Sequence, residues 1–250
     1  MKKKMLKLDQ NNYYSKKSNQ QYFSVSQYKD FMRCEAMAMA KINCAYETEM
    51  TKAMLTGSFV DSYFEGTLDV FMKEHPAVFT RKQELRSEFR KANEIIARIQ
   101  SDELFMKFMS GEKQQIVTFE LFGLPWKMKM DSYLPGICIT DLKVVASFQS
   151  LPFWRYDLQG AVYQAGVLQK TDELLPFYLA VATKERMVDL DIFQIPQATL
   201  NMALLEIERN IQHFAEVKSG LISPSYCGKC NYCKSVKAAR IRNYNELLEV

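Results

Sequence analysis

The chain has only two histidines in 250 residues and lacks the glycine-rich loops that bind nucleotide phosphates. Neither G-x-G-x-x-G nor a Walker A sequence occurs, so a nucleotide-hydrolysing motor would lack its usual phosphate loop. His75 precedes a proline, and His213 falls in a predicted long helix, far in sequence from the acidic residues described below. A Ser-His-Asp or Cys-His mechanism is therefore not expected.

Long apolar runs are also missing. No run reaches the roughly 18 residues of a membrane span, and the first four residues lead into polar sequence, unlike a signal peptide. We therefore expect a cytoplasmic protein without a membrane partner. Hydrophobic content of 48% and charged content of 25% are those of an ordinary globular protein. A net charge of +4 permits nucleic-acid binding without arguing for it.

The order of predicted elements indicates an α/β fold. Residues 1–21 are rich in Lys, Asn, Gln and Ser and are predicted to be a flexible or loosely docked tail, followed by a single domain over 22–250. The periodicity then predicts helices, a three-stranded meander and a second αβα region, which together give a mixed central sheet flanked by helices. The predicted helices are 24–44, 51–74, 81–109, 153–170 and 196–219; the strands lie within 116–144 and at 176–183.

Two carboxylates and a lysine lie on what is predicted to be one β-hairpin. Asp141 and Lys143 are two residues apart on one strand and so share a face, and Asp131 ends the preceding strand. Ions of the Mg²⁺ class take carboxylate ligands, and a nearby lysine can orient or deprotonate an attacking water or stabilise phosphate charge. Metal-dependent phosphodiester hydrolysis needs this set. Exposed strand-end residues are the simpler interpretation of the triplet alone.

Asp61 and Glu65 are a second acidic pair. They lie four residues apart on a predicted helix, so their side chains share a face. A solvated acidic stripe would explain the pair, but the apolar neighbours Phe59 and Val60 leave little room for a wholly exposed face.

Gln159 and Tyr163 lie one helical turn apart, shortly after the predicted strand that carries Lys143. An amide and a phenol in this position could contact DNA or brace an active site. An ordinary pair on a helix surface is the alternative.

Three cysteines, Cys227, Cys230 and Cys233, fall within seven residues, and such thiolates can converge on one metal ion. In a reducing compartment this spacing favours metal ligation over disulfides. A fourth ligand is missing nearby, and Cys34 is the best candidate. Zinc is one possible ion, and reduced cysteines without a metal are the alternative. Cys44 and Cys138 are predicted to be buried small hydrophobic residues.

Taken in order, these motifs resemble the PD-(D/E)XK nuclease superfamily, in particular RecE-like phage exonucleases and RecB-type nucleases. Two positions depart from the family pattern. Met130, instead of proline, precedes Asp131, and Asp61 stands where RecB-type nucleases have a metal-binding histidine. The second change replaces a nitrogen ligand by oxygen, which would shift metal preference from Mn²⁺ toward Mg²⁺.

The resemblance implies a restriction-endonuclease-like core with a helical N-terminal part and a C-terminal cysteine motif. It also implies Mg²⁺- or Mn²⁺-dependent hydrolysis of DNA by an exonuclease that resects double-stranded ends and passes single strands to an annealing protein. Relatives include ring-shaped homo-oligomers, and some carry a four-iron four-sulfur cluster. The implied residues are Asp131, Asp141, Lys143 and Glu65 for catalysis; Asp131, Asp141, Leu142 (through its carbonyl), Glu65 and Asp61 for the metal; Gln159 and Tyr163 for DNA; and Cys34, Cys227, Cys230 and Cys233 for the cluster.

A second hypothesis keeps the fold but not the reaction. A catalytically silent DNA-binding or scaffold module would retain the same elements, and Asp61 in place of the family's histidine leaves room for it.

Overall fold

The N-terminal half of the chain is helical. The computed structural model describes residues 5–82, 84–241 and 243–247. Seven α-helices precede the first strand in these ranges: α1 Lys16–Gln21, α2 Val25–Arg33, α3 Glu35–Ile42, α4 Lys52–Glu65, α5 Leu68–Glu74, α6 Ser87–Gln100 and α7 Glu103–Phe108.

The C-terminal half contains the strands and three more helices. Strands β1 Gln115–Leu121 and β2 Leu124–Met130 form an antiparallel pair. A four-stranded sheet has the order β3-β4-β5-β6, in which β4 and β5 are parallel and the outer pairs are antiparallel. Its strands are β3 Ser132–Leu134, β4 Cys138–Val145, β5 Phe177–Thr183 and β6 Leu190–Gln194, and the helices are α8 Tyr156–Thr171, α9 Gln197–Ser219 and α10 Asn231–Val236.

Three predicted helices are each divided in two: 24–44 into α2 and α3, 51–74 into α4 and α5, and 81–109 into α6 and α7. The first two breaks have clear causes. The backbone is extended at Cys34, which separates α2 from α3. Gly66 ends α4 with φ +76°, a left-handed conformation that costs glycine little. Helical periodicity continues across both positions, and so the sequence pattern did not reveal the breaks.

The predicted three-stranded meander is wrong in its pairing. β2 ends at Met130, and the chain then enters the short strand β3, which pairs with β4. Ser132, fully buried, fixes this break because its hydroxyl accepts from Gly111 N–H and donates to the Phe108 carbonyl. β6 was not predicted at all, since it is a partly exposed edge strand with a weak apolar pattern.

The parallel strands β4 and β5 lie between two hydrophobic clusters, as the predicted mixed sheet flanked by helices requires. Ile139, Val145 and Val181 belong to the cluster formed with α2, α8 and α9. Leu142 and Ala180 point to the opposite face of the sheet and belong to the cluster formed with α4 and α6. This alternation places Asp141 and Lys143 on the side of α8. The described helices include none with the length and apolar character needed to cross a bilayer.

Helix α8 packs unusually close to its neighbours. A Cβ at Gly160 would lie 2.6 Å from the Phe177 ring, and one at Gly166 would lie 2.7 Å from the Phe119 ring. Both distances are too short for real carbon contacts, so glycine is required at these positions. The close approach brings α8 against β5 at Gly160 and against β1 and β2 at Gly166.

Part of the N-terminal segment, which was expected to be flexible or loosely docked over 1–21, contacts β2. Lys127 is 2% exposed, and its ammonium donates to the Tyr13 carbonyl, Ser18 Oγ and Asn19 Oδ1. A buried ammonium is tolerated only when its donors are satisfied. The segment therefore supplies the hydrogen-bond acceptors that this strand lysine needs. The assignment of residues 22–250 to a single domain stays a prediction.

Replacing Lys127 by methionine should release the N-terminal segment. The change leaves buried oxygens of this segment without a donor, which costs about 1–3 kcal/mol for each unsatisfied group. We expect faster amide hydrogen exchange over residues 13–19 and a lower melting temperature, both measured by comparison with Lys170→Met, which alters an exposed lysine of α8. Equal exchange in the two variants would contradict this role of Lys127.

Candidate functional site

Asp131 lies at the junction between β2 and β3, beside β4. Its Oδ2 accepts a hydrogen bond of 3.0 Å from the Leu142 N–H, and its Oδ1 accepts a longer one of 3.4 Å from Gln114 Nε2. The carboxylate thus ties the end of β2 to the middle of β4. This contact brings Asp131 next to Asp141 although the two strands do not pair as a hairpin.

Asp141 and Lys143 project from the face of β4 that is covered by α8. Asp141 is 1% exposed, and its Oδ2 forms an ion pair with the Lys143 ammonium. Its Oδ1 accepts a hydrogen bond of 2.7 Å from Gln159 Nε2. Asp141 is therefore held in one orientation from two sides.

Gln159 and Tyr163 are both engaged inside the protein. Gln159 binds Asp141, and the Tyr163 hydroxyl donates to the Lys129 carbonyl on β2 at 2.9 Å. These contacts support the bracing role that the sequence left open. Direct contact of either side chain with DNA stays a prediction.

Asp61 and Glu65 reach the same site from α4. Glu65 Oε2 accepts from the Thr67 hydroxyl at 3.3 Å. Asp61 Oδ1 is buried, and no residue that the structure describes gives it a hydrogen bond. Together with Asp131 and Leu142 these acids line a cavity of ≈ 10 Å³, about the room that a single water molecule or small ion requires.

The charges of the site residues, which are buried or half-buried, do not balance. Burial is the main reason that the pKa of Asp61 rises to about 7; Lys143 opposes the rise, while Asp141 and Glu65 add to it. Burial and then Asp141 also raise the pKa of Asp131 well above its usual range. For Lys143, burial lowers the pKa, but Asp141 and Asp131 outweigh it and hold the pKa above the usual range. Three carboxylates thus face one lysine.

A divalent cation fits this set of residues. The donors are hard oxygens, which Mg²⁺ and Mn²⁺ prefer, and the unsatisfied oxygen of Asp61 points to a missing positive partner. Asp131 and Asp141 now accept from Leu142, Gln159 and Lys143, so a metal ion would share these oxygens with protein donors. The ligand assignment to Asp61, Glu65, Asp131, Asp141 and the Leu142 carbonyl stays a prediction.

The four predicted cluster thiols converge. The sulfur atoms of Cys34, Cys227, Cys230 and Cys233 all lie within 4.8 Å of one another, and the Cys34–Cys233 separation is 3.5 Å. Cys227 Sγ accepts from the backbone N–H of Cys230 at 3.4 Å. Hydrogen bonds from the Lys229 and Cys230 backbone lower the pKa of Cys227 to about 6, which favours a thiolate ready to bind metal.

This cysteine cluster joins the N-terminal helices α2 and α3 to the C-terminal helix α10. Cys34 lies between α2 and α3, and Cys230 and Cys233 belong to the start of α10. Backbone contacts reinforce the junction: Ala36 N–H donates to the Ser225 carbonyl, and Ser225 N–H donates to Glu35. Cys138 is buried as expected, whereas Cys44 is exposed and the prediction for it was wrong. Cys44 follows the end of α3, where the chain leaves the core.

Other residues near the site were missed because their contacts are long-range. Gln114, which binds Asp131, lies in a loop before β1. Lys29 on α2 donates to the Trp154 carbonyl across 125 positions of sequence. Nothing in the local pattern of either residue points to these contacts.

The fold is that of the PD-(D/E)XK class of proteins. The family model described as "PDDEXK-like domain of unknown function (DUF3799)" matches residues 24–236, and the chain belongs to this family. The predicted superfamily and the α/β fold class are thereby confirmed.

A solved structure agrees with this assignment. A candidate exonuclease from Eubacterium rectale is 45% identical, with a TM-score of 0.94 over 97% of this chain and 98% of that chain. The structure of SSO0001 is 14% identical over 82% of this chain and 94% of that chain, and its TM-score of 0.35 is too low to support any argument. No curated protein gives a significant match.

Removal of one cluster thiol should release a bound metal and weaken the junction of α2 and α3 with α10. We expect Cys34→Ser to lose most of its zinc or iron and to melt at a lower temperature, because buried thiols would face one another without a cation. Metal analysis and thermal denaturation of purified protein measure both effects. Cys44→Ser, outside the cluster, is the matched control; metal content unchanged in Cys34→Ser would contradict the assignment.

Proposed function

We propose that this protein is a metal-dependent exonuclease that hydrolyses DNA phosphodiester bonds. The observation that carries the proposal is the unbalanced set of the buried Asp141 and the half-buried Asp61 and Asp131 around Lys143, with one buried carboxylate oxygen left without a protein donor. The similarity to the E. rectale candidate exonuclease over nearly the whole chain supports the same activity.

Each residue has a defined part in the proposed reaction. Asp61, Asp131, Asp141, Glu65 and the Leu142 carbonyl would hold Mg²⁺ or Mn²⁺. When bound, such an ion neutralises phosphate charge and lowers the pKa of water. In the proposal, Glu65 lies at the outer side of the site, beside Thr67.

Lys143 acts as a cation in this proposal. Burial lowers its pKa, yet Asp141 and Asp131 more than reverse the effect, so the ammonium stays protonated at neutral pH. It therefore stabilises negative charge developing on the phosphate and orients the attacking water, and does not act as a general base. Gln159 and Tyr163 are positioning residues, because they hold Asp141 and the β2 backbone.

The biological role follows from the resemblance to RecE-like enzymes. We propose resection of double-stranded DNA ends in phage-type recombination, in the cytoplasm, with the single strand passed to an annealing protein. Assembly into a homo-oligomer would keep the enzyme on its substrate. The order of motifs from Cys34 to Cys233 supports this role.

For the cysteine cluster we propose a structural metal. The two close sulfur pairs, at 3.5 and 3.8 Å, match the ~3.8 Å edge of a tetrahedron with Zn–S bonds of about 2.3 Å. A four-iron cluster spreads its sulfurs further, because each binds a different iron, but the C-x₂-C-x₂-C spacing is typical of such clusters. Zinc fits the geometry better. Iron and zinc analysis of anaerobically purified protein distinguishes them.

A catalytically silent DNA-binding or scaffold module is the second candidate. Asp61 in place of the family's histidine favours it, as does the engagement of both strand aspartates by protein donors.

The first test is Asp141→Ala. We expect at least a roughly 10³-fold loss of Mg²⁺-dependent degradation of linear duplex DNA, since a metal ion contributes several kcal/mol to such reactions. The fold should persist, as judged by circular dichroism. Asp191→Ala, which alters an exposed carboxylate on β6, should keep full activity. Undiminished activity of Asp141→Ala would remove this residue from the mechanism.

A second test compares DNA forms with the native protein. An exonuclease should digest linear duplex in Mg²⁺ or Mn²⁺ and spare covalently closed circles, as seen by gel electrophoresis with EDTA as the control. Cleavage of circles would indicate an endonuclease. Binding without degradation of either form, in both metals, would favour the silent module.

A further inference from the structure

The candidate active site opens into a second, larger space that the catalytic assignment does not use. This aromatic groove has a volume of ≈ 520 Å³, in the range of small-ligand sites and too small for a duplex. Its lining combines candidate site residues with aromatic and basic side chains. These lining residues include Asp61, Leu142, Lys143, Trp154, Tyr156 and Lys184.

Trp154 is an exposed ring on a fixed backbone. Trp154 is 58% exposed. Its backbone carbonyl is nevertheless fixed, because it accepts a hydrogen bond of 2.7 Å from the Lys29 ammonium. The next residue, Arg155, has φ +50°, which is rare for a residue with a side chain. Arg155 is clamped by Asp157 and Glu206. The protein therefore stabilises a strained turn that presents an indole to solvent.

Positive charge surrounds the same aromatic side chains. Lys29 and Lys143 each lie 5.3 Å from the centroid of the Tyr156 ring, and Lys184 lines the groove. Burial, and then the charge of Lys143, lowers the pKa of Lys29 to about 8. An anionic ligand would relieve this crowding. Aromatic faces beside lysines are the arrangement that binds single-stranded nucleic acid.

We propose that the aromatic groove binds the unpaired end of the DNA strand being cut, with Trp154 stacking on a base. Asp61 lines both the groove and the acidic cavity, so a strand in the groove reaches the candidate metal site. The proposal rests on the exonuclease function and specifies that the substrate end is separated from its complement before hydrolysis.

Tryptophan fluorescence tests the contact without any reaction. The chain has two tryptophans, and Trp126 is fully buried, so Trp154 reports on the groove. Titration of the native protein with a short single-stranded oligonucleotide in EDTA should quench the exposed fluorophore. Trp154→Phe, which leaves Trp126 alone, should show no quenching. Absence of quenching in the native protein, when anisotropy shows that the oligonucleotide is bound, would overturn the proposal.

Affinity measurements supply the second arm. Trp154→Ala should weaken binding of a labelled single strand about 5- to 150-fold, the range expected for one lost stacking contact, whereas Trp154→Phe should restore most of it. Leu221→Ala, at another exposed apolar residue, should bind like the native protein. If Trp154→Ala weakens blunt duplex binding but leaves single-strand binding unchanged, the groove contacts duplex and the proposal fails.

Failure of the groove and failure of the enzyme are distinguishable. Quenching by single strands with no hydrolysis in any metal would support the groove and reject the nuclease. Normal hydrolysis without quenching would support the nuclease and reject the groove. If the nuclease and the groove proposals both hold, Trp154→Ala should slow digestion of blunt duplex ends more than digestion of ends with a preformed single-stranded tail. Only blunt ends must be opened before the strand can enter the groove.

Discussion

The structure depends on one electrostatic constraint, the placement of several buried or half-buried carboxylates beside a single lysine. Isolated charges cost several kcal/mol when they leave water, and a close partner must offset that cost. Here the Lys143 ammonium offsets part of it for Asp141, and the Leu142 N–H and Gln159 amide satisfy further oxygens. The remaining imbalance defines the site, because it is stable only when a cation or protons supply the missing charge.

The surrounding architecture serves to hold these groups in place. Glycines in α8 let that helix approach the strands closely enough for Gln159 to reach Asp141. Lys127 attaches the N-terminal segment to β2, and the cysteine cluster joins α3 to α10. Because the segment over residues 13–19 and the region of Cys227–Cys233 are both held against the rest of the structure, fewer degrees of freedom are lost on binding, and the acidic residues are preorganised for a ligand.

The sequence predicted what depends on residue type and missed what depends on tertiary contact. Asp131, Asp141 and Lys143 were recognisable as candidates because metal chemistry needs those side chains in that order. Cys34 was recognisable because the three C-terminal cysteines lacked a fourth metal ligand. The break in the strand after Met130 was not recognisable from the sequence. It depends on the hydrogen bonds that the Ser132 hydroxyl forms with the backbone of Phe108 and Gly111. Lys127 gave no sign of burial, because its acceptors lie more than 100 positions away.

Asp61 is the residue in which local chemistry and the family pattern differ most, and charge explains how the site accommodates it. With a histidine there, Asp131, Asp141 and Glu65 would face Lys143 with a net charge of −2. An aspartate makes the ionised set −3, and every side-chain ligand is then a carboxylate oxygen. An all-oxygen set of this charge favours a small, hard cation, and it requires Asp61 to lie close to the other acids. The burial of its unsatisfied oxygen at the junction of cavity and groove meets this requirement, so the departure is consistent with a working metal site as well as with a silent one.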